Sequence, residues 1–95
     1  LLVFGREPGA LRNVYVAGGR GFLHDMLGVA GGANVFADVA RESVQATTEL
    51  ILARAPDVII EVREGPALSD ADVRARIADW DRLAAVPAVK ARRVH

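Results

Sequence analysis

The sequence has 95 residues, and its 12 basic and 12 acidic side chains give a formal net charge of zero at pH 7. A balanced charge lacks the surplus of Lys and Arg that neutralises phosphates, which excludes a general nucleic-acid-binding protein. The absence of cysteine excludes disulfides, thiolate metal sites and thiol nucleophiles. With 52% hydrophobic residues and no apolar run near the roughly 20 residues of a membrane span, the sequence indicates one globular domain or part of one.

The first half of the sequence alternates between predicted strands and one helix. Short apolar or β-branched runs predict the strands, and glycines close most of them. The helix is predicted where apolar residues recur at helical spacing before Gly31-Gly32. In chain order the predictions are strands at residues 1–4 and 13–17, a helix at 22–30, a strand at 34–37 and a loop at 38–45.

The second half predicts two helices around the clearest strand of the chain. Thr47 is the expected N-cap of a helix that carries Glu49 in its first turn. Residues 57–62 are nearly continuous in β-branched side chains, which is typical of a strand covered on both faces of a parallel sheet. Ser69 is expected to cap another helix, and a last strand is predicted at residues 92–95. This alternation predicts an α/β fold with helices on a mostly parallel sheet.

Few residues in the sequence suggest catalytic or metal chemistry. Gly18-Gly19-Arg20-Gly21 between a strand and a helix is compatible with an anion-binding turn, but it lacks the lysine of a phosphate loop and the spacing of a dinucleotide fingerprint. Two histidines, His24 and His95, are too few for a zinc site, so we expect no metal and no cofactor. Tyr15 suits core packing and the wall of a ligand pocket equally. No enzyme active site is therefore visible in the sequence.

Three stretches of the sequence, taken in order, resemble one family. Residues 14–36 resemble the strand, glycine turn, helix and Gly-Gly-x-Asn-x-Phe passage in the C-terminal lobe of periplasmic binding proteins for cobalamin and iron siderophores. Residues 47–60 are similar to their Ser-x-Glu-x-Leu-Leu-Ala-x-x-Pro-Asp-Val-Ile segment, and residues 80–95 to their Trp-x-x-Leu, Pro-Ala-Val-Lys and Gly-Arg-Val-Tyr ending. Arg92 replaces the turn glycine of that ending, so its backbone is expected to differ from the family's.

The resemblance implies that residues 1–95 form the C-terminal lobe of a two-lobe substrate-binding protein of an ABC importer. The implied fold is a three-layer αβα lobe, and no catalysis is expected. Such a protein captures vitamin B12, a ferric siderophore or haem between its lobes and delivers it to a membrane permease. The implied location is the periplasm, or the outer face of the membrane through a lipid anchor. Because the N-terminal lobe, the linking helix and the final helix are expected outside these residues, the isolated chain should bind ligand weakly and self-associate.

The resemblance also implies four functional residues. Tyr15 matches an aromatic residue of the ligand cleft in the cobalamin-binding members. Ser43, in the expected loop before the Thr47 helix, matches a position that often carries a ligand-stacking Trp, and the missing indole argues against cobalamin. Arg63 follows the central strand at the carboxyl edge of the sheet, where open α/β sheets bind ligands, and it suits a carboxylate or metal-chelate anion. Glu49 matches the exposed acid that docks on arginines of the permease.

Two other classes of function remain open from the sequence. One is a fragment of a nucleotide- or phosphate-binding α/β enzyme that uses the Gly18 to Gly21 turn, and the other is an interaction module that only resembles a transport lobe. An upstream signal peptide or lipoprotein cysteine, beside genes for a permease and an ATPase, would support the transport protein. An upstream phosphate-loop lysine would support the enzyme.

Overall fold

A four-stranded mixed sheet organises the part of the chain that the structure describes. The computed structural model describes residues 1–7, 9–63 and 67–95. The strands are β1 (Leu2–Gly5), β2 (Val14–Ala17), β3 (Ser43–Ala46) and β4 (Ile60–Glu61). The helices are α1 (Phe22–Val29), α2 (Thr48–Arg54), α3 (Asp70–Ala78), the 3₁₀ helix Asp79–Leu83 and α4 (Pro87–Lys90).

The strands lie in the order β3-β2-β1-β4, and most of the pairs are antiparallel. β1 pairs with β2 and β2 with β3 in antiparallel fashion, whereas β1 and β4 are parallel. Ile59 adds an isolated parallel bridge to Val94 at the β4 side. The prediction of a mostly parallel sheet is therefore wrong. The connection between β1 and β2, residues 6–13, is shorter than the dozen or more residues that a parallel crossover needs, so β2 returns antiparallel.

Helices cover both faces of this sheet, which confirms the predicted three-layer α/β arrangement. Alternate residues of a strand point to opposite faces. Val3 belongs to the larger core, which includes residues of β2, β3, α2, the 3₁₀ helix and α4, among them Ile51 and the fully buried Trp80. Leu2 packs on the other face in a smaller cluster with Ala17 and with Leu27 of α1.

The segment between α1 and α2 differs from its prediction in two places. The expected strand at residues 34–37 is a turn, because the buried Asn34 amide donates to the carbonyls of Ala17 (3.1 Å) and Gly18 (3.0 Å) while its Oδ1 accepts from the backbone N–H of Phe36 (3.0 Å). The expected loop at residues 38–45 contains the start of β3. Ser43–Ala46 alternates exposed polar and inward apolar side chains, which is the pattern of a half-buried strand.

The predicted helix starts are confirmed. Thr47 Oγ1 accepts from the backbone N–H of Leu50 at 3.2 Å, and Ser69 Oγ accepts from that of Asp72 at 3.2 Å. Arg92, with φ 56°, adopts the left-handed backbone that favours glycine. A glycine-type turn is thus kept at this position in spite of the arginine side chain, contrary to the expected change of backbone.

Candidate functional site

A groove lies at the end of the sheet where β1 and β4 finish. These two strands are parallel, so their carboxyl ends meet at the same edge. The groove has a volume of about 620 Å³. Its described lining combines apolar side chains with arginines: Phe4, Gly5, Arg6, Leu23, Val62, Arg63 and Arg76. An apolar floor with a few cationic groups is typical of a site for a ligand that carries negative charge.

A second cavity adjoins this groove on the α3 side. Its volume is about 310 Å³, and Val73 and Ile77 of α3 and Val94 supply much of its apolar lining. Arg63 and Arg76 line both cavities, so the two arginines form the wall between them. Arg63 therefore lies at the carboxyl edge of the sheet, where the sequence placed it.

Tyr15 borders the groove on the side of β2. It pairs with Gly5 across the β1–β2 hairpin, and its ring centroid lies 6.5 Å from that of Phe4. Val14 and Val16, its neighbours in β2, point into the larger core on the opposite face. With its side chain 40% exposed, Tyr15 is no core residue and is available to a ligand next to Phe4.

Ser43 lies in β3 and not in a loop as expected. It is exposed and pairs with Ala17, two residues along β2 from Tyr15, or about 7 Å at the rise of a strand. Because directly paired residues project from the same face, Ser43 and Tyr15 share the α1 face of the sheet. Ser43 lines neither of the two cavities described above. The structure thus brings Tyr15 and Arg63 to one edge and leaves Ser43 farther along the same face.

The groove wall rests on Arg6, a residue that the sequence analysis did not select. Its side chain is 0% exposed, and all five of its N–H donors are used. Nε and Nη2 bind the two carboxylate oxygens of Glu61 at 2.7 and 3.1 Å. Nη1 donates to Asp79 Oδ2 and to the carbonyl of Ala10, each at 3.0 Å, and Nη2 donates to the carbonyl of Arg76 at 3.0 Å. Arg6 therefore fastens α3 and the 3₁₀ helix to the ends of β1 and β4.

Glu61 is the acceptor at the centre of this cluster. Besides both bonds from Arg6, it accepts from Arg76 Nη2 at 2.7 Å and from Trp80 Nε1 at 3.2 Å. Burial alone would raise the pKa of Glu61, but the hydrogen bonds from Arg6, Trp80 and Arg76 and the charge of Arg6 outweigh it, so the pKa lies below its ordinary value. Glu61 is therefore a carboxylate at neutral pH.

The charges of this cluster balance among its own four side chains. Arg6 and Arg76 offset Glu61 and Asp79, each arginine bonding to at least one of these carboxylates. Arg63 lines the same groove as Arg76. The sequence gives only a weak signal for the pair of Arg6 and Glu61. Each residue lies in or just after a predicted strand, but nothing local indicates that residues 55 positions apart will pair.

The Gly18 to Gly21 turn is occupied by backbone contacts. The N–H of Gly18 donates to the carbonyl of Glu42 at 3.0 Å, and that of Gly19 to the carbonyl of Val39 at 2.7 Å. A Cβ atom at either glycine would collide with a carbonyl oxygen of the 37–41 segment. These glycines thus serve close packing of two backbone segments, and their N–H groups are already used. The geometry argues against a phosphate site here.

Glu49 is exposed in the first turn of α2. This helix follows Ala46, which pairs with Val14 at the end of β2 that lies beside the end of β1. Glu49 is therefore near the same edge of the sheet as the groove.

Among residues 1–7, 9–63 and 67–95, no group of three or more His, Cys, Asp or Glu side chains could hold a metal ion. Within those residues no helix has the length and apolar character to cross a bilayer.

Comparison with known proteins agrees with this architecture. The family model described as "Periplasmic binding protein" matches residues 1–95. The fold is similar to an ABC transporter substrate-binding protein from Listeria monocytogenes, with TM-score 0.77 and 24% identity over 99% of this chain and 35% of the other. A search of curated proteins found no significant match.

Two further solved structures have related sequences and descriptions of their ligands. A possible iron-binding periplasmic solute-binding protein from Staphylococcus epidermidis has TM-score 0.72 and 28% identity over 98% of this chain and 34% of the other. The periplasmic heme-binding protein RhuT from Roseiflexus has TM-score 0.64 and 25% identity over 98% and 35%. The chain thus spans about a third of the length of the structures that it matches. Since the family model covers every residue, the chain belongs to the periplasmic binding protein family, which implies an extracytoplasmic location.

Proposed function

We propose that this chain is the C-terminal lobe of the substrate-binding protein of an ABC importer, and that its groove binds haem or a ferric siderophore. The observation that carries the proposal is the lining of the groove, where Phe4, Leu23 and Val62 lie beside Arg63. Both ligand types combine a large apolar or aromatic body with negatively charged oxygens, which is the chemistry that such a lining recognises. The lobe itself carries no catalytic role in this proposal.

The descriptions of related proteins support this ligand class over a corrinoid. The Staphylococcus epidermidis protein is described as possibly iron-binding and the Roseiflexus protein as heme-binding. In this chain Ser43 offers a small exposed hydroxyl where a cobalamin-binding member would often carry a stacking indole. The arginine-rich wall favours an anionic ligand, and we therefore consider vitamin B12 a less suitable ligand than haem or a ferric siderophore.

The groove supplies one wall of a binding site. It lies open at the carboxyl edge of the sheet, and a site that buries most of its ligand needs a facing wall. We assign that wall to a second lobe of the complete protein. Glu49, exposed near the same edge, is then placed to dock on basic residues of a membrane permease once the ligand is enclosed.

A ligand screen with the complete protein tests the proposed function. Haem, ferric tris-catecholate and cobalamin are titrated by absorbance or tryptophan quenching, and haem or the ferric chelate should bind at micromolar concentration or tighter. Arg63→Gln should weaken that binding by about tenfold or more, equivalent to at least about 1.4 kcal/mol. Arg74→Gln is the matched control, because Arg74 is an exposed arginine of α3 that lines neither cavity of the site. Binding of cobalamin alone, or of none of the three ligands, would refute the proposal.

A further inference from the structure

We infer that Arg76 is a second ligand-binding cation of the groove and that the buried Arg6–Glu61 pair positions it. This inference rests on the proposed function, because it assigns a further residue to the same site. The ligand group in question is an anionic oxygen, such as a carboxylate or a catecholate oxygen. The recognition of this group would then use Arg63 and Arg76 together.

Arg76 has both the access and the free donors that a ligand contact requires. Its side chain is 25% exposed and lines both cavities. Among the described residues, its guanidinium makes one side-chain hydrogen bond, from Nη2 to Glu61 Oε2 at 2.7 Å. An arginine has five N–H donors, so the others are left for a ligand. The planar fork of these donors matches the paired oxygens of a carboxylate or a catecholate.

Glu61 and Arg6 fix Arg76 at two points. Glu61 Oε2 holds the Arg76 guanidinium, and Arg6 Nη2 donates to the Arg76 carbonyl at 3.0 Å. Glu61 is itself held by the Nε and Nη2 donors of Arg6, and its side chain is only 10% exposed. A guanidinium held in place before binding loses less conformational freedom when the ligand arrives, which increases affinity.

The same arrangement lets Arg76 bind a ligand while Glu61 still holds its guanidinium. The bond to Glu61 uses one N–H of Nη2, so the remaining donors can reach an anionic oxygen of the ligand. Glu61 also accepts two hydrogen bonds from Arg6 and one from Trp80, so it does not depend on Arg76 alone. A neutral ligand gains no charge-assisted hydrogen bond from Arg76, so the contribution of Arg76 should depend on the charge of the ligand.

Paired probes, one anionic and one without that charge, test this inference in the complete protein. Haem and haem dimethyl ester share one macrocycle, but the ester lacks the two carboxylates. Arg76→Gln should weaken haem binding at least tenfold and binding of the ester less than twofold, whereas Arg74→Gln should change neither. If the protein selects iron chelates instead, anionic ferric tris-catecholate and neutral ferric tris-acetohydroxamate replace the haem pair, with the same expected contrast.

The outcomes separate this inference from the proposed function. Normal binding of haem or the catecholate by the Arg76→Gln protein, or an equal loss for the charged and the neutral probe, would overturn the role of Arg76 while leaving the proposed function intact. Failure of the unmodified protein to bind any of the four probes would overturn both.

A double-mutant cycle tests the positioning role of Glu61. Glu61→Asp keeps the negative charge for Arg6 but withdraws it by one methylene, so Arg76 should lose its anchor and haem binding should fall about threefold or more. In the Arg76→Gln protein, Glu61→Asp should have no further effect on haem affinity, because the guanidinium that Glu61 positions is absent. Equal losses in both backgrounds would refute the positioning role. If Glu61→Asp does not fold, Arg76→Lys replaces it as the test variant. Lysine keeps the positive charge but lacks the planar pair of guanidinium donors, so haem affinity should fall. Unchanged haem affinity would contradict the inference.

Discussion

Replacement of Arg6 by Met tests whether the buried ion cluster holds this end of the sheet together. The side chains are similar in length, but Met removes the charge and five hydrogen bonds at once. Glu61 would keep Arg76 and Trp80, whereas Asp79 would lose the arginine that pairs with it. Removing one partner of a buried pair costs about 3–5 kcal/mol, and we expect Arg6→Met to lower the free energy of unfolding of this lobe by that amount.

The assay has to report on this lobe within the complete protein. Hydrogen exchange of the Ile60 and Val62 amides does so, because these N–H groups donate to the carbonyls of Leu1 and Val3 and are released when β1 and β4 separate. Their protection should fall with Arg6→Met and remain within about 0.5 kcal/mol with the surface control Arg74→Met. A change below about 1 kcal/mol for Arg6→Met would show that the cluster contributes little, and the reasoning would be wrong.

The pH dependence of the same protection follows from Glu61. Its pKa is lowered in the folded state, so the unfolded chain binds a proton at higher pH than the folded chain does. The stabilising contribution is present above the ordinary glutamate pKa, about 4.3, and is lost as pH falls below it through the folded pKa. Protection of the Ile60 amide should therefore decline below about pH 4 after correction for intrinsic exchange rates. A decline already complete above pH 5 would require another group.

Three further predictions concern single positions. Glu49→Ala should change the free energy of unfolding by less than about 1 kcal/mol while reducing ligand uptake in a transport assay. If uptake is unchanged even when the matching acid of the other lobe is also removed, Glu49 has no role in docking to the permease. Tyr15→Ala should weaken ligand binding by about 1–3 kcal/mol with little change in the melting temperature, whereas a large loss of stability with normal affinity would make Tyr15 structural. Arg92→Gly should raise the free energy of unfolding by about 0.5–1 kcal/mol by relieving the left-handed backbone, measured by denaturation.

The isolated chain of 95 residues should associate with itself and bind ligand weakly or not at all. Phe22, Met26 and Val29 form an exposed apolar stripe on α1, with Val29 91% exposed, and such patches favour association. Sedimentation should show oligomers at micromolar concentration. A strict monomer over a wide concentration range, or micromolar binding of haem by the isolated chain, would contradict this expectation.

The local features of the fold could be predicted from the sequence. The helix starts at Thr47 and Ser69 depend on a hydroxyl and on a backbone N–H three residues later, so the signal lies within one turn. The strand at β2 and the placement of Arg63 after β4 also follow from short apolar runs. For the site, resemblance selected Tyr15 and Arg63, and the structure places both at one edge of the sheet.

Long-range contacts decided the features that local sequence patterns did not predict. The apolar Val35 and Phe36 are typical of a strand, yet the amide of Asn34 reaches back to Ala17 and Gly18 and holds this segment in a turn. Arg6 can be buried because Glu61, 55 residues away, and Asp79, 73 residues away, supply carboxylates to it. Periodicity and capping act over a few residues and therefore define elements, whereas strand order and buried ion pairs depend on which elements meet in space. The packing of the whole sheet and its helices decides which elements come into contact.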